Sequence, residues 1–244
     1  MQNPSIEEVT AAIEEVRVAM QAETPVLQNG YWEHKAFAPA STDTQDQLFH
    51  AVGAALSSWE SAESALATLY VVLCDVETGS SYSAISRTFG SIPSSAGRRK
   101  IIKAAAEIYF GMHWQSHPIK KGLTDLLAAF TKAAERRDEF AHGQAYSFSI
   151  NGESPGCFLF ASQYIASRNL PFPLGNPEDP FSYLSSTYRY TAAEILDFAR
   201  KFIELRDAVW RYIGSIRRIL GRPGIALVMD LDAKAAKAAK AGDV

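Results

Sequence analysis

A change of hydrophobic period marks residues 119–150, IKKGLTDLLAAFTKAAERRDEFAHGQAYSFSI. In the first part of this stretch the apolar residues recur at three- and four-residue intervals, which is the spacing of one face of an α-helix. Those residues are Leu123, Leu126, Leu127, Phe130 and Ala134. Gly143 is well placed to end the helix, because glycine takes the left-handed conformation at no steric cost. The pattern therefore predicts a helix over residues 119–142.

Beyond this helix the apolar residues alternate with polar ones. Tyr146 and Phe148 are separated by a serine, and the alternation resumes around Phe160. Between the two runs stands Asn151-Gly152, a dipeptide typical of tight turns. A two-residue period on both sides of a turn predicts a β-hairpin, which we place at residues 145–165.

Helical periodicity recurs in other parts of the chain. Thr44 with Gln47, and Thr191 with Glu194, form capping-box patterns at the starts of two long segments. Residues 80–97 are interrupted by two glycines and a proline, Gly90, Pro93 and Gly97, and predict only a turn of helix and a connection. The remaining helices are expected at residues 5–22, 44–75, 98–110 and 192–220. The fold class predicted is mostly α: an antiparallel helical bundle with a β-hairpin inserted before the last long helix.

This pattern divides the chain into three parts. Residues 1–43 are predicted to form an N-terminal helix and a loop. Residues 44–224 are predicted to form a single helical domain that includes the hairpin. Residues 225–244 contain the low-complexity run AKAAKAAKA, which lacks an apolar face, and we expect a flexible tail rich in lysine and alanine.

Composition excludes several classes of protein. Of 244 residues, 47% are hydrophobic, which is too many for a mostly disordered chain. The longest apolar run, Ala65–Cys74, is about half of the roughly 20 residues that a bilayer-spanning helix needs. The two cysteines are too few for a disulfide framework, and no secretion signal is evident. We therefore expect a cytoplasmic protein without a membrane partner.

The charge is unevenly distributed. The net charge is −3, but residues 1–97 carry three basic and twelve acidic side chains, whereas residues 98–142 carry nine basic and five acidic ones. A basic groove would attract a phosphate backbone despite the negative sum. The residues predicted to bind nucleic acid are Arg98, Arg99, Lys100, Lys103, Lys120, Lys121 and Arg136.

One arginine conflicts with its local pattern. At 100° per residue, Arg137 lies only about 20° from Phe130 on the helical wheel, within the apolar stripe, whereas Arg136 lies about 120° away. An arginine is rarely buried unless it is paired. Arg137 is therefore expected either to make an internal ion pair, for example with Glu60 or Glu63, or to line a cleft that holds an anion.

His142 follows Arg137 by five residues, at the predicted end of the same helix. The negative end of the helix dipole favours the charged imidazolium at that position. A histidine beside a permanently charged guanidinium can serve as an acid or base next to a phosphate clamp. The alternative is that His142 is only a helix cap and Arg137 only a structural ion pair.

The R-x4-H spacing of Arg137 and His142, with Asp138 after the arginine and Ala-His-Gly at the helix end, resembles the signature of HEPN-domain proteins. A long helix bearing Trp59 and Glu60 and a basic helix beginning near Arg98 precede it, an order similar to that of many bacterial HEPN-like proteins. The resemblance covers about residues 44–143. It implies a helical bundle that forms a symmetric homodimer and cleaves RNA without a metal or cofactor, in a toxin or defence context.

The resemblance also implies roles for individual residues. His142 would act as general base or acid, Arg137 would stabilise charge on the reacting phosphate, and Asp138 would orient one of them. An antitoxin or a nucleotidyltransferase would be the expected partner. The alternative function is a non-catalytic interaction or sensing module that binds a nucleotide, RNA or a partner protein. His113 and His117 have a spacing that can serve a metal, but no further ligand lies near them in the sequence, and no metal is expected.

Overall fold

The structure is a computed structural model. It describes residues 11, 25–34, 37–76, 80–113, 119–150, 153–172, 175, 181–182 and 184–219. The predicted helix at residues 5–22, except for Ala11, lies outside these described residues. The predicted tail at residues 225–244 lies outside them as well.

The described part of the chain is mostly helical, with a small antiparallel sheet before the last long helix. The helices are α1 (Gln45–Leu73), α2 (Ser80–Gly90), α3 (Ser95–Met112), α4 (Lys120–Ala141) and α5 (Ala192–Ile219). The strands are β1 (Gly143–Ile150), β2 (Glu153–Ala161) and β3 (Arg189–Tyr190). The predicted fold class, mostly α with a β-hairpin before the last long helix, is therefore confirmed.

Two elements differ from the sequence-based expectation. The segment that was predicted to be a turn of helix and a connection contains the eleven-residue helix α2. Its Gly90 and Pro93 stand at and beyond its end, so they stop the helix instead of breaking it. β3 was not predicted at all, because a strand of two residues is too short to show a period.

Helices α1 and α5 run side by side in the same direction. Both begin with the predicted capping box: the Thr44 hydroxyl accepts from the Gln47 amide (3.2 Å), and the Thr191 hydroxyl accepts from the Glu194 amide (3.3 Å). The Asp43 carboxylate, just before α1, accepts from the Ala192 amide at the start of α5 (2.7 Å). The two helix starts therefore lie at the same end of the bundle.

The core forms where α4 crosses this pair. The ring of Trp59 in α1 lies 5.5 Å from the ring of Phe202 in α5 and 5.8 Å from that of Phe130 in α4. The end of α4 lies near the start of α5, where Phe140 and Phe198 are 5.6 Å apart. α4 thus runs antiparallel to α5, and its C-terminal end is at the same end of the molecule as the sheet.

The sheet has the order β1-β2-β3 and presents two different faces. Cys157, Leu159 and Ala161 belong to the main core that the helices share. Phe158 and Phe160 belong to a separate aromatic cluster on the opposite face, together with Phe181. We call this opposite side the outer face of the sheet.

The segment of residues 25–34 packs on the helices although it was assigned to the N-terminal region. Val26 and Trp32 are buried in the main core, and the Trp32 ring stacks on Phe202 at 5.8 Å. This segment covers one side of α4. Among the described helices, none is long and apolar enough to cross a membrane.

Candidate functional site

The C-terminal end of α4 carries the predicted catalytic residues. His142 is the residue at which the helix ends, and its backbone amide donates to the Asp138 carbonyl oxygen (3.1 Å). Its side chain is exposed, and the imidazole makes no hydrogen bond with any residue that the structure describes. The ring is therefore free to exchange protons with a ligand or with solvent.

Arg137 pairs with its neighbour in sequence. Its guanidinium Nη1 donates to the Asp138 carboxylate at 3.0 Å, and the two side chains are 34% and 48% exposed. The Nε atom of Arg137 is buried and has no hydrogen-bond partner among the described residues. The arginine is thus only partly paired within the described structure, and the exposed third of its side chain can meet a further acceptor.

The internal ion pairs expected as alternatives for Arg137 are not formed. Glu63, which is almost fully buried, accepts instead from Arg98 (2.9 Å) and from the Ser95 hydroxyl (2.8 Å). Glu60 is exposed. A carboxylate inside the core therefore does not account for the position of Arg137.

A segment between β2 and β3 holds the end of α4 in place. The Arg168 guanidinium donates to the Asp138 carbonyl oxygen (2.6 Å), and the Ser162 hydroxyl donates to the His142 carbonyl oxygen (3.0 Å). The Tyr188 hydroxyl donates to the Glu139 carbonyl oxygen (3.1 Å). The last carbonyl groups of a helix lack partners within it, and Tyr188 and Ser162 satisfy two of them, while Arg168 adds a second donor to the Asp138 carbonyl oxygen.

Two further arginines thus stand near Arg137. Arg168 is partly buried beside Tyr188, where burial raises the pKa of the hydroxyl and the guanidinium opposes that rise. Arg99 reaches the site from α3: burial lowers the pKa of its guanidinium, and the nearby carboxylates, Asp138 among them, raise it in part. Together with Arg137 they bring three guanidinium groups to this end of α4, where the Asp138 carboxylate also lies.

The other residues predicted to bind nucleic acid are not all brought together. Arg98 is held by Glu63 and lies 5.6 Å from the centre of the Phe89 ring. Lys100 and Lys103 are exposed on α3. Lys120 and Lys121 begin α4, and at 1.5 Å per residue they lie about 25 Å from Arg137 along the helix.

Arg136 belongs to a buried polar network on the other side of α4. Its guanidinium contacts Glu139 (3.1 Å) and the ring of His34. The Tyr190 hydroxyl donates to the same Glu139 carboxylate, and the rings of Tyr190 and His34 are stacked at 5.2 Å. Burial, and then the charge of Glu139, raise the pKa of Tyr190, so its hydroxyl stays protonated as the donor.

This network borders a cavity of about 580 Å³ between α4 and residues 25–34. Its wall combines the buried side chains Val26 and Trp32 with charged ones of both signs. The charged and titratable lining residues are Glu33, His34, Asp125, Lys132, Glu135 and Arg136. The Nδ1 atom of His34 and the Nε atom of Arg136 are buried without a hydrogen-bond partner among the described residues.

The two histidines considered for a metal are not brought into a described cluster. His113 ends α3, where its Nδ1 lies 3.0 Å from the Tyr109 carbonyl oxygen and its Nε2 lies 4.0 Å from Asp75. His117 lies outside the described residues. Within the described ranges, no group of three or more metal-ligating side chains comes together.

Sequence reasoning missed Ser162, Arg168 and Tyr188. All three lie in or next to the proline-rich stretch of residues 167–190, which shows no hydrophobic period. Their contacts with α4 span 20 to 49 residues of sequence. No local pattern could have indicated them.

Comparison of the chain with protein-family models, with curated proteins and with solved structures finds no match in any of the three.

Proposed function

We propose that this protein is a HEPN-like, metal-independent endoribonuclease whose reacting groups are Arg137 and His142. The observation that supports the proposal most is the incomplete pairing of Arg137 and His142 at the C-terminal end of α4. Arg137 is bound only by a half-exposed neighbouring carboxylate, and the His142 ring is exposed and without a partner in the described structure. A buried polar atom without a partner, such as the Nε atom of Arg137, is unusual in a side chain with a purely structural role.

The chemistry would divide between the two residues. His142 would accept the proton of a ribose 2′-hydroxyl, or donate one to the leaving oxygen. Arg137 would stabilise the additional negative charge that develops on the phosphate in the transition state. Asp138 would orient the guanidinium through the 3.0 Å contact. The proximity of Arg99 and Arg168 would raise the local affinity for a phosphate backbone.

A symmetric homodimer belongs to the same proposal. Two copies related by a two-fold axis would each present the end of α4 to one shared cleft. An antitoxin or a nucleotidyltransferase that covers or modifies this cleft is the class of partner that such an enzyme would have.

The test is cleavage of a broad panel of labelled single-stranded and structured RNAs by the purified protein. We expect cleavage in the presence of EDTA, and we expect Arg137→Ala and His142→Ala to abolish it while the circular dichroism spectrum stays unchanged. Arg211→Ala is the matched control, because Arg211 is an exposed arginine in α5 near the opposite end of the bundle. That variant should cut like the wild type.

Two results would overturn the enzymatic proposal. One is the absence of cleavage of every RNA in the panel. The other is cleavage by Arg137→Ala and His142→Ala at the rate of the wild type and of Arg211→Ala.

The cavity of about 580 Å³ favours a second candidate function, a non-catalytic module that binds a nucleotide or another small molecule. Its volume falls within the range of about 300–1,000 Å³ that is usual for small-molecule sites. Its apolar floor and its two buried nitrogen atoms without described partners, on His34 and Arg136, fit a ligand that accepts hydrogen bonds.

Trp32 lines this cavity and reports on its occupancy. If the protein is a sensing module, a nucleotide that binds should change tryptophan fluorescence and raise the melting temperature, and Ala128→Leu, at an exposed position of the cavity wall, should reduce both effects. The same titration with His142→Ala should be unchanged, since His142 is not among the residues that line the cavity. A panel of nucleotides without any effect on either signal would exclude this function.

A further inference from the structure

A small pocket opens on the outer face of the sheet, beside the candidate site. Its volume is about 60 Å³. A single water molecule needs about 10–15 Å³ of such space. The pocket therefore has room for the edge of a planar ring but not for a whole nucleotide. Its lining residues are Tyr146, Phe148, Phe160, Ala161, Gln163, Asn169, Leu184, Ser185 and Ser186.

The lining is aromatic and polar but carries no charge. Tyr146, Phe148 and Phe160 supply rings, and Phe148 and Phe160 lie 5.1 Å apart. The amide of Gln163 is exposed and makes no hydrogen bond within the described structure. Asn169 uses its Nδ2 atom for the Ser162 and Ile165 carbonyl oxygens, so its carbonyl oxygen remains an acceptor. These aromatic rings and amide groups suit an uncharged planar ring that carries hydrogen-bond donors and acceptors at its edge.

The pocket and the candidate site share one segment of chain. Gln163 and Asn169, which line the pocket, stand directly beside Ser162 and Arg168, which bind the end of α4. Successive Cα atoms are about 3.8 Å apart, so the backbone at the edge of the uncharged pocket is adjacent to the backbone of Arg168, whose guanidinium binds the end of α4. A nucleotide has this same arrangement, with a neutral ring a short distance from a phosphate.

The same segment exposes an unusual amount of aromatic surface. Tyr164, in the turn between Ser162 and Ile165, is 85% exposed, and Phe172 is 78% exposed. Exposed aromatic rings beside positive charge are the platforms on which unpaired bases stack in proteins that bind single-stranded nucleic acids. A double helix keeps its bases stacked on each other and cannot use them.

We propose that the outer-face pocket, with Gln163 at its edge and Tyr164 beside it, binds an unpaired nucleobase of the RNA. The substrate is then single-stranded RNA, and the base sits next to the phosphate that Arg137 and Arg168 attract. The inference rests on the proposed function, since it names the substrate class of the same site.

The experiment measures binding separately from cleavage. The probe is a fluorescent twelve-nucleotide 2′-O-methyl RNA, which lacks the hydroxyl that the proposed reaction needs, titrated with wild-type protein as a single strand and as a duplex. We expect the single strand to bind more tightly. Gln163→Ala and Tyr164→Ala should each weaken that binding about fivefold or more. Both residues are exposed, so neither variant should change the fold.

Met112→Ala is the control, because Met112 is 73% exposed at the far end of α3 and should bind like the wild type. Single-strand binding that is insensitive to both test variants would refute the assignment of base binding to this pocket. The nuclease proposal would not be affected by that result. Free nucleosides that bind as tightly as the oligonucleotide would overturn the assignment to RNA. A protein that neither binds the probe nor cuts unmodified RNA would overturn the proposed function itself.

Discussion

Arg136 and Arg137 are consecutive in the sequence and have opposite environments. On the helical wheel of α4 alone, Arg137 lies in the apolar stripe and Arg136 outside it. In the structure the Arg136 side chain is 12% exposed and the Arg137 side chain 34% exposed. The reason is the segment of residues 25–34, which covers the side of α4 that carries Arg136. A wheel describes one helix and contains no information about a distant segment that packs on it.

This difference predicts unequal effects of two alanine substitutions on stability. Arg136→Ala removes the partner of the Glu139 carboxylate, which is only 13% exposed, and should lower the free energy of unfolding by about 2–4 kcal/mol. Arg137→Ala removes only a contact between two partly exposed side chains and should lower it by less than about 1 kcal/mol. Urea denaturation followed by circular dichroism measures both. Equal losses in the two variants would contradict the assignment of Arg136 to structure and Arg137 to function.

At the scale of elements, the hairpin is held against the chain that precedes α1. Gly156 in β2 has a φ of 107°, and a Cβ atom there would lie 1.8 Å from the Ser41 carbonyl oxygen. Only glycine fits, since both the backbone conformation and the lack of space exclude a side chain. This contact brings the outer face of the sheet close to residues 37–43, and Arg189 extends the connection by donating to the Ala38 carbonyl oxygen at 2.8 Å.

Gly156→Ala should therefore destabilise the protein by about 2–4 kcal/mol, because the backbone of one of the two segments must move.

Gly53→Ala is the matched control and should stabilise the protein. Gly53 is exposed in the middle of α1, no atom lies within 4 Å of the position that a Cβ would occupy there, and alanine is favoured over glycine inside a helix by about 0.5–1 kcal/mol. Melting temperatures of the two variants that shift in the same direction would refute this account of the hairpin.

The long elements were predictable from the sequence because each carries its own signals. α1 and α5 have capping boxes and apolar stripes, and α4 has a stripe that ends before Gly143. The two-residue period likewise indicated β1 and β2. α2 was underestimated, and β3 was missed because its pairing with β2 depends on residues that are distant in sequence.

The candidate site was predictable only in part. Arg137, Asp138 and His142 lie within six residues, so a local motif could indicate them. Arg168 and Tyr188 come from an irregular segment and could not be foreseen. The basic and acidic stretches of the sequence also do not form separate surfaces in the folded molecule. Arg98, from the basic stretch, is paired with Glu63 from the acidic one, so part of the predicted nucleic-acid surface is used to join α1 to α3.

Buried tyrosines give the whole molecule a defined response to alkaline pH. Burial is the largest cause in each case: it raises the pKa of Tyr31 to about 12, and it raises the pKa values of Tyr70, Tyr188, Tyr190 and Tyr212 as well. In the unfolded chain these hydroxyls lose their protons near pH 10. Above that pH the unfolded state releases protons that the folded state retains, so the free energy of unfolding must fall as the pH rises.

The melting temperature should therefore decrease steadily once the pH exceeds about 10, with the tyrosine contribution fully present below that value. The ultraviolet absorbance of tyrosinate should show a step that coincides with unfolding, because tyrosines such as Tyr188, Tyr190 and Tyr212, whose pKa values are raised, lose their protons more readily in the unfolded chain. Tyr190→Phe removes one of these hydroxyls, so this step should become smaller. Absorbance that reaches its final value near pH 10, in a protein that remains folded, would show that these hydroxyls are not buried as the structure has them.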